Sequence, residues 1–122
     1  MDPRTRSAIE DFGRLLGLSP NFDAAGRSAF EFSDSGRLTF AEAEDGREIV
    51  VSLGFETNSV ASAGRALLLQ GGYDGARRRV LAVAAADDRR IVLAVRQKVA
   101  GVDAQALVAC FEYLKERRRT IR

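Results

Sequence analysis

Residues 80–95 carry the feature that most constrains the fold, because they hold two apolar runs separated by a short polar turn. The first run reads Val-Leu-Ala-Val-Ala-Ala-Ala (80–86) and the second reads Ile-Val-Leu-Ala-Val (91–95). This is the pattern of a β-hairpin. Strands with one face in water alternate apolar and polar residues, but these two hardly alternate, so both faces should be covered. A chain of 122 residues has few helices to cover them, so we infer that a second copy covers one face.

The length and composition indicate a single domain over residues 1–122. No apolar run approaches the roughly 20 residues that span a bilayer. The first six residues, Met-Asp-Pro-Arg-Thr-Arg, contain no apolar segment of a cleavable signal. We therefore expect a cytoplasmic protein.

The first half of the chain predicts a helix followed by a three-stranded meander. Asp2 can cap a helix that runs from Pro3 to about Leu16, and Gly17 can end it. Short alternating segments around residues 29–33, 37–40 and 49–53 are separated by Asp34-Ser35-Gly36 and Glu44-Asp45-Gly46, which are typical turn sequences.

The second half predicts two more helices around the apolar hairpin. Thr57-Asn58-Ser59 can cap a helix of mostly small residues that ends near Gln70, and Asp103 can cap a last helix that contains Leu107 and Leu114. The predicted order is α-β-β-β-α-β-β-α. The fold class is therefore α+β, with helices packed on an antiparallel sheet.

Catalytic and metal-binding chemistry is poorly represented. The chain has no histidine, which removes the commonest general base and metal ligand, and it has one cysteine, Cys110, on the apolar side of the last helix. No phosphate-binding glycine motif or nucleophile elbow is present. We therefore expect no enzyme activity, no metal site and no cofactor.

The arginines leave one alternative open. Residues 1–76 carry seven basic and twelve acidic side chains, whereas residues 77–122 carry twelve basic and five acidic ones, including Arg77–Arg79 and Arg117–Arg119. Clustered arginines can bind nucleic acid. Basic residues at a helix C-terminus also stabilise the helix dipole, so the alternative is a small Arg-rich nucleic-acid-binding domain.

The element order and several local patterns resemble the class I type III secretion chaperones, which escort effector proteins to the bacterial injection machinery. Residues 66–71 (Ala-Leu-Leu-Leu-Gln-Gly) resemble the end of that family's second helix. The runs at 80–83 and 91–93 resemble its fourth and fifth strands, and Val102-Asp103 resembles the opening of its last helix. The chain departs from the family in its basic C-terminal half and in having Gln70-Gly71 where asparagine is common.

The resemblance implies a homodimer that binds the N-terminal segment of a secreted effector and keeps it soluble and secretion-competent. The segment would lie extended, with apolar side chains in surface grooves and sometimes an added strand. The implied groove residues are Phe12, Leu15, Leu16, Leu18, Phe30, Phe32, Leu38 and Phe40. The implied dimer interface, formed by the second helix and fourth strand, comprises Ala63, Leu67, Leu68, Val80, Ala82 and Ala84.

Overall fold

Two helices pack on one face of an antiparallel sheet in the part of the chain that the computed structural model describes, residues 2–57, 72–75, 79–85 and 89–119. The elements in chain order are α1 (Pro3–Leu16), β1 (Asn21–Phe22), β2 (Ser28–Phe32), β3 (Gly36–Ala43), β4 (Glu48–Glu56), β5 (Gly72–Asp74), β6 (Arg79–Ala85), β7 (Arg90–Lys98) and α2 (Ala104–Arg119).

The seven strands form one sheet in the order β1-β2-β3-β4-β7-β6-β5, and all neighbours are antiparallel. The predicted α+β fold class is confirmed. The short strands β1 and β5 were not predicted. The middle helix predicted for residues 57–70 lies, apart from Thr57, outside the described residues.

Helix α1 begins and ends at the signals found in the sequence, and α2 begins at one. The Asp2 carboxylate accepts a hydrogen bond from the Arg4 N–H at 2.8 Å, and Gly17 adopts a left-handed conformation (φ 71°) after the last turn of α1. The Asp103 carboxylate accepts a hydrogen bond from the Ala106 N–H at 2.8 Å at the start of α2. Local capping chemistry therefore sets both limits of α1 and the start of α2.

The core lies between the helices and the inner face of the sheet, and Phe12 of α1 stands at its centre. Its ring makes edge-on contacts with Phe30 of β2, Phe40 of β3 and Phe111 of α2, with centroid separations of 5.5, 5.4 and 6.0 Å. Alternate residues of the strands complete the inner face, namely Leu38, Ile49, Val51, Leu53, Phe55, Leu81, Ile91, Leu93 and Val95.

The hairpin of β6 and β7 is covered on one face only within the described residues. Leu81, Ile91 and Leu93 are buried in the core beneath the helices. On the opposite face Val80 is 62% exposed, and Ala82 and Ala84 are also exposed. The helices described here thus cover one of the two apolar faces, and the other is accessible in this single copy.

Thr5 of α1 offers a test of the packing around that helix. Its side chain is completely buried, and its hydroxyl group has no hydrogen-bond partner among the described residues. A buried hydroxyl without a partner costs about 1–3 kcal/mol. We expect Thr5→Val, which keeps the branched shape, to raise the free energy of unfolding by about 1 kcal/mol in urea denaturation. Thr39→Val at a half-buried site should change it less, and a less stable Thr5→Val protein would contradict this account.

Candidate functional site

Four of the eight predicted groove residues lie in the core. Phe12, Leu38 and Phe40 are fully buried, and Phe30 is 3% exposed. Their side chains join α1 to the inner face of β2 and β3, so another protein cannot reach them in this conformation. Their contacts hold α1 against the sheet.

The other predicted groove residues are accessible, and three of them form a patch at the end of α1. Leu15, Leu16 and Leu18, here called the leucine patch, are 58%, 40% and 37% exposed. Phe32 at the end of β2 is half-buried and stacks on Phe111 with 4.8 Å between centroids. Because monomeric proteins rarely expose large apolar side chains in groups, the leucine patch is the strongest candidate for a binding surface on α1.

The backbone around Gly13 and Gly17 sets the position of the leucine patch. The Leu18 N–H donates a hydrogen bond to the Gly13 carbonyl oxygen at 2.8 Å, so the chain folds back along the helix. A Cβ atom at Gly13 would lie 2.6 Å from the Leu18 carbonyl oxygen and 3.4 Å from the Pro20 ring. Only glycine at position 13 permits this close return, and the leucines beside it at the helix end are exposed.

The outer edge of β2 lies close to the returning chain. β1 pairs with β2 only at Ser28 and Ala29. In that register Pro20 would stand opposite Phe30, and proline has no N–H to continue the ladder. Within the described residues, no strand pairs with the outer side of β2 from Phe30 to Phe32. Sequence reasoning missed this edge, although Pro20 was a signal that a strand could not extend there.

A row of small residues crosses the helix-free face of the sheet. One row of directly paired residues crosses five strands and consists of Ala29, Thr39, Ser52, Ala94 and Ala82. Val80 and Ala84 lie on the same face of β6 and are exposed. Of the predicted interface residues, the structure therefore places Val80, Ala82 and Ala84 on an accessible face, while Ala63, Leu67 and Leu68 lie outside the described residues.

Two surface concavities are lined by charged and small residues. One, of about 570 Å³, lies on the helix-free face, where Arg27 pairs with Asp23 at 3.0 Å and Arg37 with Glu31 at 3.5 Å. The other, of about 670 Å³, is lined mainly by charged residues of the β3–β4 turn and the ends of α1 and β7. No group of three metal-ligating side chains occurs in the described part of the chain.

Cys110 lacks the environment of a reactive thiol. It is buried, and burial raises its pKa above the usual value even though the Arg79 guanidinium favours the thiolate. A buried thiol with a raised pKa stays protonated near neutral pH. The structure thus gives Cys110 a packing role in α2.

The C-terminal arginines contact the protein itself. Arg117 forms an ion pair with Asp74 of β5. Arg118 donates a hydrogen bond to the Asp34 carbonyl oxygen at 2.6 Å, and its guanidinium lies 4.7 Å from the centroid of the Phe55 ring. Arg77 and Arg78 lie outside the described residues. Two members of the Arg117–Arg119 triplet therefore have structural roles, and nothing in the described part of the chain supports the nucleic-acid alternative.

The sequence from residue 7 to residue 122 matches the profile of the Tir chaperone protein (CesT) family. The chain belongs to the CesT family. No curated protein sequence matches it significantly. Within the described residues of this CesT-family chaperone, no helix is long and apolar enough to cross a membrane.

Solved structures share the fold of this CesT-family chain. The Yersinia pestis type III secretion chaperone SycH, in complex with a stable fragment of YscM2, matches with a TM-score of 0.70 and 17% identity over 95% of this chain and 98% of that one. A chain of the Pseudomonas aeruginosa ExoT–SpcS complex matches with a TM-score of 0.64 and 18% identity over 100% of both chains. A chain of the heterodimeric ExoU–SpcU complex, from the type III secretion system of the same organism, matches with a TM-score of 0.58 and 17% identity over 92% and 93%.

Proposed function

We propose that this protein is a type III secretion chaperone that binds the N-terminal segment of an effector as a homodimer and keeps it soluble and secretion-competent. The observation that carries the proposal is the CesT-family match over residues 7–122. The structural neighbours support it, since SycH was solved in complex with a fragment of YscM2 and the SpcU structure is a complex with ExoU. Catalysis plays no part in this function.

The leucine patch and the outer edge of β2 form the proposed effector site. Leu15, Leu16 and Leu18 offer exposed apolar area, and the open edge at Phe30–Phe32 offers backbone hydrogen bonds to an added strand. Phe32 adds a half-buried ring at the end of that edge. Ordering an extended segment costs about 1–2 kcal/mol per residue, so we expect a long effector segment that uses both features.

The helix-free face of the sheet is the proposed dimer surface. Its small residues let a second layer approach closely, and Val80, Ala82 and Ala84 are exposed in a single copy. We propose that the partner copy covers this face. Ala63, Leu67 and Leu68, within residues 57–70, belong to the same proposed interface. The location proposed is the bacterial cytoplasm, where the effector is made and must be held before export.

A purification experiment tests the function and the dimer together. We expect the purified protein to elute as a dimer in size exclusion with light scattering, and to retain an effector from a lysate of the native bacterium. Ala82→Arg places an unpaired charge in the proposed interface and should weaken dimerisation by about 100-fold or more. Ala109→Arg, on an exposed position of α2, is the matched control. A monomeric wild-type protein that captures no secreted protein would refute the proposal.

A further inference from the structure

The two halves of β6 have different strand partners. β6 pairs with β7 from Ala82 to Ala85, and the register stops there. Arg79, Val80 and Leu81 pair instead with the three-residue strand β5. Since the β6–β7 register does not include Arg79–Leu81, side-chain contacts hold the start of β6 against the rest of the molecule, among them the burial of Leu81 in the core.

Four side chains supply that attachment, and we call them the β5–β6 clamp: Asp74, Arg79, Tyr113 and Arg117. The Asp74 carboxylate accepts hydrogen bonds from Arg117 Nη2 at 2.5 Å and from the Tyr113 hydroxyl at 3.2 Å. The guanidinium groups of Arg79 and Arg117 lie 5.6 and 5.3 Å from the centroid of the Tyr113 ring. Asp74 and Arg79 are also directly paired in the β5–β6 ladder. Both strands are thereby attached to one turn of α2.

A side-chain relay takes the place of the missing ladder between the start of β6 and β7. Arg79 Nη1 donates to Cys110 Sγ at 3.3 Å, and Cys110 Sγ donates to Gln97 Oε1 of β7 at 3.6 Å. If the β6–β7 register continued beyond Ala82, Arg79 would stand opposite Gln97. The two residues are instead joined through a thiol of α2.

The side chains of the clamp are largely shielded from solvent. Asp74 and Arg117 have only 15% and 24% of their side-chain surface exposed. Burial raises the pKa of Tyr113, so its hydroxyl stays protonated and can donate to Asp74. Charge-assisted hydrogen bonds with this little solvent contact are stronger than those of exposed ion pairs.

We propose that the β5–β6 clamp positions the start of β6, and Val80 with it, for dimerisation. Val80 lies on the helix-free face directly after Arg79 and is 62% exposed. The angle at which this part of β6 leaves the sheet determines where that side chain meets the partner. Asp74, Arg79, Tyr113 and Arg117 are therefore positioning residues of the interface. The inference rests on the proposed homodimer.

The test measures the dimer dissociation constant of the full chain by sedimentation or dilution light scattering. We expect Asp74→Asn and Arg117→Gln each to raise that constant by about tenfold or more, with the thermal midpoint recorded for each variant. In the double variant the dissociation constant should rise by less than the product of the two single increases, because both substitutions break the same ion pair. Asp74→Glu should recover most of the affinity. Glu112→Gln, in an exposed ion pair of α2, is the control.

Tyr113→Phe is a milder variant that is expected to fold, because it removes only the hydroxyl bond to Asp74 and keeps the ring. If Asp74→Asn does not fold, Tyr113→Phe alone decides, and it should raise the dimer dissociation constant several-fold. Folded variants that dimerise like the wild type would overturn the clamp proposal while leaving the chaperone function intact. A wild-type monomer would instead refute the dimer on which both depend.

Discussion

Replacing Phe12 by alanine is expected to lower the free energy of unfolding by about 3–5 kcal/mol. The side chain is fully buried, and its ring contacts Phe30, Phe40 and Phe111 on three different elements. Alanine would leave a cavity where α1, α2 and the sheet meet, and these aromatic contacts would be lost together. Urea denaturation followed by circular dichroism measures the change.

Leu16→Ala on the same helix is the control for Phe12→Ala. Leu16 is 40% exposed, so its truncation should change the free energy of unfolding by about 0.5 kcal/mol or less. If Phe12→Ala were no more destabilising than Leu16→Ala, the assignment of Phe12 to the core would be wrong. Phe12 would then be available to an effector, as the sequence-based hypothesis allowed.

Local signals explain why much of the fold could be predicted from the sequence. Asp2, Pro3 and Gly17 favour a helix start or end through contacts with residues a few positions away. Helix α1 begins and ends where they indicate. Turn residues, alternation and short apolar runs act over similar distances, and β2, β3, β4, β6 and β7 fall on the predicted segments. The short strands β1 and β5 have only two and three residues. Such lengths are too short for an alternation pattern.

The sequence could not separate core from surface within one apolar stripe. Phe12, Leu15 and Leu16 recur at helical spacing, but Phe12 is buried and the two leucines are exposed. Phe12 is buried because its ring packs against Phe30, Phe40 and Phe111, whereas the chain after Gly17 returns past Gly13, toward Phe30 and Pro20. That close approach depends on tertiary packing, which helical periodicity does not report.

The β5–β6 clamp was also beyond sequence reasoning. Asp74 and Arg117 are 43 residues apart, and Arg79 and Cys110 are 31 apart. The Arg117–Arg119 triplet was interpreted through the helix dipole and the nucleic-acid alternative, since nothing local points to Asp74. The contact exists because antiparallel pairing places β5 beside β6, where Asp74 can reach Tyr113 and Arg117 of α2. Partners of this kind become visible only once the topology is known.

Leu15→Gln combined with Leu16→Gln is expected to weaken effector binding by about 100-fold or more while leaving the chaperone folded and dimeric. Burying one leucine side chain contributes about 1.5–3 kcal/mol, and 1.4 kcal/mol corresponds to a tenfold change in affinity. Both leucines are exposed in the free chain, so glutamine, a good helix former of similar length, should cost little stability there. Titration calorimetry with the N-terminal segment of an effector retained by the wild type measures the affinity.

Ser7→Gln is the matched control, because it places the same side chain on an exposed position of α1 away from the leucine patch. It should bind the effector segment like the wild type. If the double variant also kept wild-type affinity, the effector would not contact the end of α1, and the open β2 edge or the helix-free face would have to supply the apolar contacts. A double variant that lost both dimerisation and binding would show instead that the patch supports the fold. The proposal therefore requires loss of binding with the dimer intact.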